Sequence, residues 1–78
     1  MMNKYKVEIK SEFCNETDEG VEAYSPTDAA TISVDRHFDY IEGRAEVKVT
    51  NESTGEVKYF CTRPSFTVHA STEEDFND

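Results

Sequence analysis

Residues Ser25 to Gly43 read SPTDAATISVDRHFDYIEG. A serine followed by proline is a helix start: the hydroxyl can cap a free N–H, and Pro26 sits where no N–H is needed. Asp28 comes three residues after the cap, an acid at the positive end of the helix dipole. Gly43 is a suitable stop. The spacing predicts a helix from Pro26 to about Tyr40. Stepping about 100° per residue puts Ala29, Ala30, Ser33, Val34, His37, Tyr40 and Ile41 on one side. Ala30, Val34, His37 and Ile41 are the expected packing contacts. Asp28, Asp35, Asp39 and Glu42 all fall within about 40° of Asp28's line on the opposite side. The helix therefore carries an acidic stripe pointing away from its packed face.

On either side of this helix the periodicity changes from helical to two. Tyr5, Val7, Ile9, Ser11 and Phe13 alternate with Lys6, Glu8, Lys10 and Glu12, the pattern of a half-buried strand. CNETDEG (Cys14 to Gly20) reads as a turn, and VEAYS (Val21 to Ser25) as a short second strand antiparallel to the first. Beyond the helix, Ala45, Val47 and Val49 alternate with charged residues. NESTG turns the chain, and Val57, Tyr59 and Cys61 face one way, which is a hairpin. Arg63-Pro64 breaks it, and Phe66, Val68 and Ala70 supply a fifth, edge strand. The expected fold is α+β in the order β-β-α-β-β(-β), one helix on one face of an antiparallel sheet. Residues 1–70 form that single domain, and 71–78 are an acidic tail expected to fray.

The chain has 78 residues, with 17 acids against 8 bases and a net charge of −9. This charge argues against direct binding of DNA, RNA or an anionic membrane, and favours a basic partner. The charge is also segregated. Glu12 to Glu42 holds nine acids and one base, whereas Met1 to Lys10 carries three lysines and one glutamate. Asp35, Asp39 and Glu42 repel one another at helical spacing, and late acids oppose the helix dipole, so local stability does not select them. Axial steps of about 10, 6 and 4.5 Å along the stripe are on the scale of backbone phosphate spacing. Ile32 and Phe38 flank the stripe as apolar anchors, with the acids as steering charges. Asp18 and Glu19 in the preceding turn extend the same surface.

Residues suited to catalysis or metal binding are sparse and scattered. His37 falls on the packed face, where a hydrogen-bonded core histidine is the expectation. His69 is expected to be exposed. Cys14 and Cys61 lack both a helix start and CxxC spacing, so they are expected as free thiols rather than as nucleophiles, a disulfide or a metal site. The three glycines are isolated, so there is no phosphate loop. No catalytic residue, metal or cofactor is expected. No run of residues matches a signal peptide or a membrane span, which points to the cytoplasm.

The stretch GVEAYSPTDAATISV, with its strand ending in A-x-S and its paired alanines, resembles a pattern of small phage and bacterial αβ domains. With the size, acidity and element order, it is similar to small phage-borne anti-defence proteins, the anti-CRISPR group above all. The resemblance implies a stoichiometric inhibitor that docks on a nucleoprotein effector of the bacterial host and blocks nucleic-acid access. The contact residues expected from the charge pattern are Asp18, Glu19, Asp28, Ile32, Asp35, Phe38, Asp39 and Glu42. The alternatives are a structural or regulatory phage or bacterial protein with incidental acidity, and a small Cys/His enzyme or metal protein.

Overall fold

The computed structural model describes residues 2–11, 15–37, 44–62 and 68–77. Five strands, β1 (Asn3–Ser11), β2 (Asn15–Ala23), β3 (Ala45–Asn51), β4 (Val57–Thr62) and β5 (Val68–Ala70), form one sheet. Helix α1 (Pro26–Arg36) follows β2, and a short helix α2 (Glu73–Asn77) follows β5. The strand order is β2-β1-β3-β4-β5, every pair antiparallel. This is the α+β arrangement that the alternation of the strands and the single amphipathic helix imply.

The core lies between α1 and one face of the sheet. Val7 pairs with Val49, and Ile9 with Val47, which in turn pairs with Phe60. Paired residues share a face, so these side chains form a continuous apolar layer. Tyr5, Val21, Ala23 and Ala45 complete it from the strands, all buried. The helix contributes Ala29, Ala30, Ser33 and Val34. Three of the four are small, which lets the helix backbone approach the sheet closely. Ser25 caps the helix as its sequence implies, accepting from the Asp28 N–H at 3.1 Å.

Four local readings differ from the structure or pass outside it. First, β2 is nine residues long, where the sequence suggests a turn at Cys14–Gly20 and a strand confined to Val21–Ser25. The reason is a bulge. Tyr5 pairs with Val21 but Val7 pairs with Asp18, so Lys6 faces two residues, Glu19 and Gly20. Gly20 takes the left-handed φ of 66° that this kink uses. Turn-forming residues here build an irregular edge strand rather than a turn.

Second, α1 ends at Arg36, with His37 as its C-cap. The His37 N–H reaches back to the carbonyls of Ser33 and Val34 at 3.1 and 3.3 Å. Residues 38–43, which include Phe38, Asp39, Tyr40, Ile41, Glu42 and the expected stop at Gly43, lie outside the described residues. So do Glu12 and Phe13 at the end of the first expected strand, Cys14 at the start of the expected turn, and Phe66 in the expected fifth strand.

Third, His37 lies on the packed side, largely buried and hydrogen-bonded to Asp18, but as the C-cap of α1 rather than a residue within the helix. Fourth, the acidic tail is not free along its length. Thr72 starts α2 by accepting from the Asp75 and Phe76 N–H groups, each at 3.2 Å. Phe76 then packs edge-on against Tyr59, with ring centroids 5.9 Å apart. One aromatic among four acids anchors the segment on the sheet face opposite α1.

Candidate functional site: the outer face of the helix

Asp28, Ile32 and Asp35 stand at positions i, i+4 and i+7 of α1, and all three are exposed. They share the face turned away from the sheet, as helical spacing requires. Ile32, at 37% exposure, lies between two carboxylates. Thr31, beside it, returns its hydroxyl to the Thr27 carbonyl at 2.9 Å and offers no charge.

The one base of the helix does not neutralise this face. Arg36 Nη1 lies 3.6 Å from Asp18 Oδ2 on β2. His37 Nε2 joins the same carboxylate, 3.0 and 3.1 Å from its two oxygens. Neither Asp28 nor Asp35 has an ion-pair partner among the described residues. Among the described residues, the outer face thus keeps two uncompensated negative charges around an apolar centre.

Asp18 occupies a different place from the one a turn would give it. The β2 bulge shifts the alternation, so Asp18 pairs with Val7 and points to the helix side of the sheet. Its side chain is only 14% exposed, and His37's only 17%. The pair ties the C-terminal end of α1 to the edge strand and places cationic or polar hydrogens near the negative end of the helix dipole. Asp18 is thereby a structural acid. Glu19, on the bulge itself, is exposed. Of the expected contact residues, the structure brings together Asp28, Ile32 and Asp35, sets Asp18 apart, and leaves Phe38, Asp39 and Glu42 outside the described residues.

The sheet also assembles side chains that the sequence keeps apart. Cys61 pairs with Glu46 on one side and with His69 on the other. The three form one row across the face opposite α1. Cys61 is a free thiol, 6% exposed, while His69 is exposed as its strand position implies. Glu46 is already engaged, accepting from Arg44 Nε at 2.8 Å and from Ser71 Oγ at 3.0 Å. A buried thiol is not presented to a substrate, so this row has the character of packing rather than of a nucleophile with its base.

Tyr24 is the exposed residue that reading for acids passes over. It is 66% exposed, the most open of the large hydrophobic side chains among the described residues. Its signal was its place: Ala23 belongs to the core, so strand alternation sends Tyr24 outward. No helix among the described residues is long and apolar enough to cross a membrane. No protein-family model, curated protein or solved structure matches the chain, so a functional reading rests on its own residues and their geometry.

Proposed function

We propose that this is a non-catalytic acidic binding protein that docks through the outer face of α1 on a basic nucleic-acid-binding surface and blocks nucleic-acid access. The observation that carries this reading is the pair of uncompensated acids, Asp28 and Asp35, flanking exposed Ile32. The one base of α1, Arg36, turns to Asp18 instead. A carboxylate pair around an apolar anchor suits a Lys/Arg-lined groove: the charges steer and set register, while Ile32, exposed here and covered on docking, supplies contact energy. Glu19 extends the acidic surface at the β2 bulge, and Asp39, Glu42 and Phe38 are its proposed continuation after the helix. The resemblance to anti-CRISPR proteins makes a nucleoprotein defence complex in a bacterial cytoplasm the proposed partner.

The test is capture followed by competition. The protein is immobilised and exposed to bacterial lysate at low salt, then washed with single-stranded or duplex oligonucleotide. A basic nucleic-acid-binding protein should be retained and released by the oligonucleotide. A variant with Asp28→Asn and Asp35→Lys should retain at least about tenfold less, a loss of about 1.4 kcal/mol. Equal retention by parent and variant would sink the proposal.

A further inference from the structure

Arg36 stands at a border of α1. Stepping about 100° per residue from Asp28 puts Ile32 at about 40°, Asp35 at about −20° and Arg36 at about 80°, between the outer face and the packed one. Its side chain therefore has two directions open to it. Helical side chains lean toward the N-terminus, over the residue four places earlier. For Arg36 that residue is Ile32. An arginine lying there would cover the apolar centre with its stem and bring its charge between Asp28 and Asp35. The structure shows the other direction. The Arg36 side chain, 56% exposed, reaches toward β2, where Nη1 meets Asp18 Oδ2 at 3.6 Å.

What draws it there depends on the irregularity of β2. Val21 and Ala23 are buried against the helix, and strict alternation counted back from them would send Asp18 to the face opposite α1. The bulge at Glu19–Gly20 reverses this and turns Asp18 to the helix side, opposite Val7. Gly20 supplies the left-handed φ of 66°, and its N–H donates to Glu52 Oε1 at 3.4 Å, so the turn after β3 holds the bulge from across β1. His37 Nε2, 3.0 and 3.1 Å from the two Asp18 oxygens, fixes the carboxylate from the helix side.

We infer that Asp18 is a positioning residue for the outer face of α1: it holds Arg36 away from Ile32 and so keeps that face without a counter-ion of its own. This rests on the reading of that face as a docking surface. A basic partner then meets Asp28 and Asp35 without first displacing an intramolecular cation. The Asp18 carboxylate becomes the control point of the site, because loss of its charge returns Arg36 to the helix.

The test combines a geometric readout with a binding one. Asp18→Asn keeps an oxygen for His37 but lacks the charge that draws Arg36. In that variant, nuclear Overhauser contacts should appear between the Arg36 side chain and the Ile32 methyl groups, and in the parent they should be absent. Contacts absent from both, or already present in the parent, would overturn the inference. The binding probe is a capped oligolysine peptide, titrated at low salt into the isotope-labelled full chain. Amide shifts of the parent should centre on Asp28, Ile32 and Asp35. Asp18→Asn should bind about threefold more weakly, the scale of one exposed ion pair. Adding Arg36→Gln should restore the parental affinity. Adding Lys4→Gln instead restores the same net charge from the face opposite α1, and should not. Equal rescue by both would reduce Asp18 to its share of the net charge, and rescue by neither would leave it a structural acid alone; either result overturns the inference. One comparison needs no change at Asp18: in the parent, Arg36→Gln should strengthen binding no more than Lys4→Gln does. A larger gain would mean that Arg36 already lies on the face. Parental shifts that miss α1 would sink the docking reading instead, and the Overhauser contacts would still decide what Asp18 does to Arg36.

Discussion

Asp18 and Asp35 belong to the same acidic stretch of sequence and have opposite roles. Asp35 is exposed on α1 without an ion-pair partner among the described residues, whereas Asp18 holds both His37 and Arg36. Their substitutions should separate accordingly. Asp18→Ala leaves a half-buried imidazole without its acceptor and should cost about 1–2 kcal/mol in denaturant unfolding. Asp35→Ala removes only an exposed charge near the negative helix end and should stay within about 0.5 kcal/mol. Equal effects from the two would contradict the assignment of Asp18 to the fold. The exposure of Asp35 was legible in the sequence, because helical periodicity needs only a start point and a period. The position of Asp18 was not. One extra residue at Glu19–Gly20 changes which side chains face the helix, and a two-residue period counted through a bulge returns the wrong side.

At the scale of elements, α1 and the β3–β4 hairpin were readable because their signals are local. Ser25, Pro26 and Asp28 mark the helix start, and Asn51 closes the hairpin turn by accepting from the Ser53 N–H at 2.8 Å and the Thr54 N–H at 3.2 Å. The helix end was less legible: it lies at Arg36, four residues before the expected Tyr40, and no breaker residue stands there. The docking of α2 depends on Phe76 meeting Tyr59, a contact between distant parts of the chain that no local pattern encodes. The packing of α1 itself can be tested at Val34, which is 1% exposed against the sheet. Val34→Asp buries a charge with no partner and should destabilise by several kcal/mol, about 3–5 by analogy with unpaired buried charges. Thermal unfolding followed by circular dichroism would read the change. An unaltered melting temperature would mean that α1 does not pack through this residue.

Across the whole molecule, the net charge of −9 should act on stability and on the proposed binding with opposite sign. The chain measures 32 × 24 × 18 Å. At 0.01 M salt the Debye length is about 30 Å, so acids on opposite sides of the molecule still repel one another. At 0.15 M it is about 8 Å, and only neighbours interact. Raising salt over this range should therefore relieve self-repulsion and stabilise the fold, by roughly 0.5–1 kcal/mol or several degrees in Tm. The close pairs that salt weakens, Lys6 and Lys48 with Glu8 and Arg44 with Glu46, involve partly exposed groups and are worth little. The proposed docking of the acidic helix face on a basic groove should respond in the other direction. Association steered by Asp28 and Asp35 slows as salt screens the field, while dissociation, set by the packed centre at Ile32, changes less. The same titration, read once by melting temperature and once by association rate with the captured partner, should thus show a rising curve and a falling one. A melting temperature that falls with salt would mean that local ion pairs outweigh the net repulsion. An association rate that ignores salt would remove the charged face of α1 from recognition, whatever the partner is.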